Sequence, residues 1–303
     1  MTEFSMQVCS GSREEALVLL AAFLPKAGTS YTRNRNFDLG AGQHKHVSQL
    51  SAYIKRRIIT EEDVLKKVLS AHSLNEAGKF IDEIFWRTYF KGWLESRPHI
   101  WVQYCADVHH LTHELQTQSG LRDRWAAACL GETGIDCFDA WAKELAETGY
   151  LHNHARMWFA SIWVYTLQLP WQLGADFFLR HLLDGDAASN TLSWRWVVGL
   201  HSVGKTYLAR AENIQRFTNG RFAPKGLAQV APPLNDTAST MAPKIIDPPN
   251  PYLDGRKTGL LLHSDDLNIA HLTHHSDCIA SAAYRPVDAG TMLVSSPKLL
   301  EFN

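Results

Sequence analysis

Residues 199–206 read GLHSVGKT and fit the spacing G-x-x-x-x-G-K-[ST]. In a phosphate-binding loop the two glycines let backbone N–H groups close on a phosphate. The lysine and the hydroxyl then reach the terminal phosphate and its magnesium. On that reading the chain is a P-loop nucleotide triphosphatase, with LLLHSDD at 260–266 as the apolar strand and metal-holding aspartate. Such a loop needs a strand before it and a helix after it in a parallel sheet, whereas the preceding sequence reads almost throughout as helix. Chance alone gives the pattern in about one chain in a hundred. HHLTH (His109, His110, His113) has helical metal-ligand spacing but lacks the glutamate of HExxH, and it reads as a solvated helix face. HLTHH (His271, His274, His275) reads the same way, and no metal site is expected. KRR at 55–57 is expected to be a solvated face, with phosphate contact as the alternative. Ser48 and Ser51 stand just before or within a helix start. There, hydroxyls and free backbone N–H groups suit either a bound diphosphate or plain capping. Arg156, Asp184 and Asp186 are charges in apolar surroundings and need partners, because an unpaired buried charge costs several kcal/mol.

The elements that must position these residues are helical. REEALVLLAAFL forms a short helix ending at Pro25, and residues 31–50 read as a polar loop broken by Gly40 and Gly42. TEEDVLKKVLSAH opens on a T-x-x-D cap, with Val64, Leu65, Val68 and Leu69 on one face. KFIDEIFWRTYFKGWLE and FDAWAKELAETG follow as helices, the latter ending at Gly149. HNHARMWFASIWVYTLQL reads as a buried helix stopped before Pro170, and ADFFLRHLLDGD continues the pattern. The fold class is all-α. Composition shifts near residue 223, where prolines mark an extended linker or a strap. TGLLLHSDDLN then reads as one buried strand and a turn. The expected division is a helical domain over 1–222 and a Pro-rich carboxy-terminal extension over 223–303. The chain has 303 residues and a net charge of −1, so no global basic field points to nucleic acid. Its five cysteines form no CxxC pair, which implies reduced thiols and a cytoplasmic location. No apolar run reaches the length of about 18 residues for a membrane span.

Three segments together resemble the FAD-binding domain of the cryptochrome/photolyase family. SQLSAY (Ser48–Tyr53) is similar to the family's T-S-x-L-S-P-Y, and EIFWRTYF (Glu83–Phe90) to E-L-x-W-R-E-F-Y. The third runs from GIDCFDAWAKELAETGYLHNHARM to LLDGDAASNTLSWRW. It resembles T-G-x-P-x-V-D-A-x-M-R-x-L-x-x-x-G-W-M-H-N-R-x-R-M followed by D-G-D-x-A-x-N-x-x-x-W-x-W. The resemblance covers residues 31–222.

The resemblance implies FAD as cofactor, held by Tyr31, Ser48, Leu50, Ser51, Phe80, Arg87, Asn153, Arg156, Asp184, Asp186 and Asn190. Arg156 and Asp184 would pair beside the flavin ring. Asp186 would accept from flavin or ribose donors, and Asn190 would face the ring's reducible nitrogen. Trp194 and Trp171 match the first two members of the family's electron-transfer chain. The third has no clear match, leaving Trp125 or Trp101. Glu83, Trp86, Asn153, Met157 and Trp196 match the substrate pocket of enzymes that repair cyclobutane pyrimidine dimers. The six-four branch carries histidines at positions 153 and 157.

Four departures stand out: Val47 for threonine, Tyr150 for tryptophan, His154 for arginine, and RAENI at 210–214 for R-x-F-N-P. The chain also has no room before residue 31 for the family's α/β antenna domain. The function implied is light-dependent splitting of cyclobutane dimers in UV-damaged DNA, single-stranded or destabilised duplex favoured. A cryptochrome-like photoreceptor is the alternative and the triphosphatase a distant third.

Overall fold

A computed structural model of the chain describes residues 11–246, 258–263, 265–267 and 278–284. Helix α4 (Glu61–Ala71) begins where the cap signal places it. Thr60 Oγ1 accepts the Asp63 N–H at 3.1 Å, and the Asp63 carboxylate accepts the Thr60 N–H at 3.0 Å. Ser73 and Glu76 repeat the device at the start of α5 (Leu74–Glu95). With α1 (Arg13–Phe23), α2 (Thr29–Asn34) and α3 (Ser51–Lys55), these helices bury a first core that includes Leu20, Leu50, Tyr53, Val64 and Phe80.

The second core is larger and aromatic. It gathers α6 (Pro98–Thr117), α7 (Ser119–Leu130), α8 (Asp136–Thr148), α9 (Asn153–Ser161), α10 (Trp171–His181) and α11 (Ala187–Val197) around Trp141, Trp158 and Trp163. Gly149 ends α8 at φ +68°, the left-handed conformation that glycine adopts without Cβ strain. The carboxylate of Asp186 caps α11 by accepting the Ser189 N–H at 2.8 Å. Helix α5 packs across α11 and so joins the two cores.

The proline-rich stretch, over its described residues to 246, forms a strap. Its backbone bonds back to the helical body at Leu234 N–H to Val198 O (2.9 Å) and Lys244 N–H to Ser96 O (2.7 Å). Arg195 pins it further, 2.6 Å from Asp236. Beyond it, β1 (Thr258–His263) pairs in parallel with β2 (Cys278–Tyr284). The expected strand is thus present, whereas HLTHH and the end of the chain lie outside the described residues.

Several expectations are corrected. The loop over 31–50 is shorter, because α2 extends to Asn34. Leu69 is exposed while Val64 and Val68 are fully buried, since one residue along a helix turns the side chain about 100° off the buried stripe. The apolar run after Arg156 leaves α-helical geometry at Ile162 and makes one π-helical turn to Thr166. KRR is not a solvated face. Arg56 is 1% exposed and donates to Leu183 O at 2.6 Å, while Lys55 and Arg57 pair with Asp265 at 2.5 Å and Asp266 at 3.2 Å.

GLHSVGKT is not a phosphate loop. It follows α11 rather than a strand, and it is closed by a bridge between Val198 and Thr206. The Gly204 and Lys205 N–H groups are spent on Gly199 O and Ser202 O, so they cannot cradle a phosphate. His109, His110 and His113 are exposed on α6, as a solvated face requires.

Candidate functional site

A cavity of about 690 Å³ lies at the seam between the two cores, within the usual range for ligand sites. The first core contributes Tyr31, Leu50 and Phe80 to its wall, and the second contributes Phe178, Leu182 and Trp194. The sequence-predicted residues converge on it. Ser48 and Ser51 stand where the loop enters α3, with Arg87 from α5 opposite. Asn153, Arg156 and Met157 come from α9, Asp184 and Asp186 from the turn before α11, and Asn190, Trp194 and Trp196 from α11 itself. Glu83 and Trp86 complete the set from α5. Trp171 stands apart, buried at the start of α10.

The buried end of the cavity is charged and paired. Arg156 Nη2 meets Asp184 at 3.0 Å, and its Nε donates to Leu151 O at 2.8 Å. Burial pushes the Asp184 carboxyl up, but the Arg156 guanidinium, with the Ser51 hydroxyl and the Arg87 charge, outweighs it and holds the group below the usual carboxylate range. Asp186 is likewise held low: burial raises it, and the charges of Arg87 and Lys91, 3.8 and 3.3 Å away, more than offset that. Asn190 donates its amide N–H to Ala175 O at 2.8 Å. That bond fixes the amide so that its oxygen is the end left to accept. The exposed end is aromatic. Trp86 and Tyr89 are about half exposed, and their rings meet edge to face at 5.4 Å. Asn153 is exposed beside them.

The cavity fits a large polar cofactor with an apolar ring. Asp184 Oδ1, Ser189 Oγ and Trp194 Nε1 line it, buried and without protein partners. Buried polar atoms of this kind are rarely left unsatisfied, so a ligand offering both donors and acceptors suits the wall. The residues that would hold it are the serines and Arg87 for phosphates and the Arg156–Asp184 pair with Asn190 for a ring system.

Some site residues are not signalled by any motif. Arg35 bonds Glu83 across the mouth, and only its position one turn after Tyr31 hints at that. Burial and the Glu83 charge push the Tyr31 hydroxyl up to about 12. Lys91 was equally silent. So was a buried group behind the loop, where Asp38, His44 and Glu144 bring ligand-type atoms within 4.8 Å of one another. His44 Nδ1 makes no hydrogen bond and lies 4.0 Å from Asp38, but the other contacts of the group are with protein. His44 meets Glu144 at 2.7 Å, and Asp38 accepts from Trp141 at 2.9 Å and Arg221 at 2.7 Å. The group anchors the serine-bearing loop to α8.

The departures also have visible settings. His154 stacks on Trp158 at 4.0 Å, and burial lowers its pKa, so it supplies no surface charge. Asn213 accepts from Trp158 Nε1 at 3.0 Å in α12 (Ala211–Phe217), and Arg210 lines a separate open groove.

Comparison with known proteins agrees with this geometry. Residues 80–226 match the family described as the FAD binding domain of DNA photolyase. The chain is 29% identical over 189 residues to the deoxyribodipyrimidine photo-lyase of Alkalihalophilus pseudofirmus, covering 62% of this chain and 38% of that protein. It is 31% identical over 198 residues to the Thermus thermophilus enzyme of the same name, covering 62% and 42%. The chain thus spans about two fifths of the length of these relatives. A class III photolyase from Agrobacterium tumefaciens superposes with a TM-score of 0.54 at 25% identity, over 69% of this chain and 43% of that one. A Synechocystis cryptochrome shares the fold, with a TM-score of 0.56 at 20% identity over the same shares. The cavity, its partnerless buried atoms and these likenesses agree: the chain carries a helical domain that matches the FAD binding domain of DNA photolyase over residues 80–226 and shares the photolyase fold.

Proposed function

We propose that the protein is a light-driven lyase that splits cyclobutane pyrimidine dimers in damaged DNA. The observation that carries this reading is the polarity of the cavity from end to end: a paired, buried floor suited to a flavin, opening through Glu83 and Asn153 onto half-exposed indole and phenol rings. A reduced flavin, when bound, supplies a photoexcited electron donor, and the electron returns after the dimer has split. The protein's own groups do the rest. Asn190 presents an acceptor oxygen, which favours a ring nitrogen that carries hydrogen, the reduced condition. Trp86 and Trp196 offer faces for an extruded pyrimidine dimer, and Glu83 and Asn153 offer hydrogen bonds to its edges. Asn153 and Met157 supply no protonatable imidazole, which supports cyclobutane over six-four substrates.

Charge supports a preference for single-stranded or destabilised DNA. The net charge is −1, His154 is neutral by burial, and Lys55 and Arg57 are taken up by Asp265 and Asp266. Fewer phosphate contacts leave less to offset the cost of opening a duplex. We take residues 1–222 as the flavin-binding unit and 223–303 as an appended extension. Among the described residues no helix is long and apolar enough to cross a membrane, and the unbridged thiols of Cys129 and Cys137 fit a cytoplasmic setting.

The test is light-dependent repair of a defined dimer in single- and double-stranded oligonucleotides by protein loaded with FAD and chemically reduced. Repair in light and none in the dark is expected, faster on the single strand. Glu83→Ala should lower repair roughly 10- to 150-fold, the worth of a hydrogen bond to a charged group, with flavin content unchanged. Glu83→Gln should fall between the two. A parent protein that holds flavin but repairs neither substrate would favour the photoreceptor alternative.

A further inference from the structure

Two buried lone pairs face each other behind the serine-bearing loop. Gly40 (φ +93°) and Gly42 (φ +71°) turn the loop back on itself and set Asp38 and His44 against Glu144 of α8. All three side chains are more than nine-tenths buried. His44 Nε2 stands 2.7 Å from the Glu144 carboxylate. A carboxylate only accepts, so Nε2 carries the hydrogen, and in the neutral ring Nδ1 is then a bare acceptor. Nδ1 makes no hydrogen bond and lies 4.0 Å from Asp38 Oδ1. That oxygen accepts the Gly40 N–H at 3.1 Å and keeps a second lone pair. The span decides what suits the gap. It is too long for a hydrogen bond, and a water bridging it on two bonds of about 2.8 Å would close its angle to about 90°. Two metal–ligand bonds of about 2.1 Å reach across about 4.2 Å. Charge agrees. Arg221 balances one of the two buried carboxylates at 2.7 Å, while Glu144 pairs with His44 alone among the described residues.

We infer that Asp38 Oδ1 and His44 Nδ1 bind a divalent transition-metal ion of the zinc class, with Glu144 as the positioning residue for His44. One ligand-type atom of each of the three lies within 4.8 Å of the others. One imidazole and one carboxylate form a set that zinc takes readily, whereas calcium and magnesium favour oxygen throughout. The surroundings are those of a built site. A metal-ligating histidine gives its other N–H to a carboxylate, and a ligating carboxylate is itself held by donors. Glu144 meets the first condition. Trp141 Nε1 (2.9 Å) and Arg221 (2.7 Å) meet the second, holding Asp38 Oδ2 so that Oδ1 is the atom left for the ion. His152 is 1% exposed, its ring lies 5.8 Å from that of His44, and its Nε2 has no partner. Its Nδ1 accepts the His154 N–H at 3.2 Å, so Nε2 bears a hydrogen and serves water on the ion rather than the ion itself. On binding, the two ligand atoms close from 4.0 Å to about 3.4 Å, the tetrahedral spacing. The ion displaces no proton, since neither Nδ1 nor Oδ1 carries one. It ties Asp38 to His44 and, through Glu144, the loop that carries Ser48 to α8.

The untagged full chain, stripped with a chelator, is titrated with zinc, and bound metal is counted by elemental analysis. One equivalent per chain is expected, held equally by His109→Ala/His113→Ala, which lacks the exposed histidine pair of α6. His44→Gln keeps an N–H for Glu144 but has no Nδ1, and it should lose the equivalent. Glu144→Gln still accepts from Nε2 without the charge and should weaken zinc about 10- to 100-fold. Zinc at a hundredfold excess over its dissociation constant should raise the thermal midpoint of the parent by about 5 °C and leave that of His44→Gln unchanged. Cobalt in place of zinc should give a visible spectrum without a thiolate band, since no cysteine is a ligand. A parent that takes up no zinc overturns the site. So does a His44→Gln chain, folded by circular dichroism, that binds zinc like the parent. If His44→Gln does not fold, the parent's cobalt spectrum decides: a thiolate band, or no spectrum, overturns the site as well. None of these readouts depends on flavin, so they stand apart from the repair reading.

Discussion

Arg156→Leu is expected to lower folding stability by about 3–5 kcal/mol and to empty the protein of flavin. Arg156 and Asp184 are 23% and 10% exposed, so removing the guanidinium strands a carboxylate in the wall of the cavity. The double variant Arg156→Leu/Asp184→Leu should recover most of the stability, because an apolar pair replaces a buried ion pair at little cost. It should still fail to hold flavin, which separates the folding role of the pair from its binding role. The pH dependence has a defined sign. In the parent, the Asp184 carboxyl is held below its ordinary value. Its contribution is therefore fully present above the ordinary carboxylate range and is lost as pH falls through the lower folded value. In Arg156→Leu, burial is opposed only by the Ser51 hydroxyl and the Arg87 charge, so the group rises and the variant is penalised most at neutral pH. The gap between variant and parent should therefore narrow towards acid. Urea midpoints between neutral and acid pH, with flavin content by absorption, check all of this. A single variant with parental stability and parental flavin would remove the pair from both roles.

Trp194→Phe should abolish light-driven reduction of bound flavin while leaving chemical reduction by dithionite intact. Trp194 is 2% exposed, lines the cavity and touches Phe178 edge to face at 5.1 Å. Phenylalanine keeps most of that packing but is far harder to oxidise, so the loss of stability should be only part of the about 3–5 kcal/mol expected of truncation to alanine. Gly174 gives a second handle on the same ring. A Cβ built there would lie 2.3 Å from Trp194 Cη2 and 3.0 Å from the Trp163 ring, so Gly174→Ala must push the indole from its seat. Slower photoreduction in Gly174→Ala, with the tryptophan still present, would show that ring position matters as well as ring type. Photoreduction at the parental rate in Trp194→Phe would reduce this indole to packing.

Much of the site is legible in the sequence because its residues are local to one another. Asp184, Asp186, Asn190, Trp194 and Trp196 fall within a single turn and helix, and the cap at Asp186 fixes their phase. The same holds for Asn153, Arg156 and Met157 on α9. What could not be read depends on tertiary distance. Nothing in KRR announces that Asp265 and Asp266, some two hundred residues later, neutralise it. Arg35 reaches Glu83 only because α2 lies against α5. Tyr104 resembles any core residue of an amphipathic helix, and its stacking on Trp171 follows from how α6 crosses α10. The phosphate-loop pattern misleads for the opposite reason. It is local and complete, but the element before it is a helix, so its N–H groups close a turn on themselves.

The cavity's place at the seam has a bearing on how long the protein would survive in a cell. Neither group of helices closes over the gap alone, and α5 crossing α11 is the principal bridge. An occupant would turn two adjoining interiors into one, and its binding energy would count towards resisting unfolding. At a hundredfold excess over the dissociation constant that linkage is worth about 2.7 kcal/mol. Abundance would then follow nutrition: a cell short of riboflavin would lose this protein to its proteases before losing the message that encodes it.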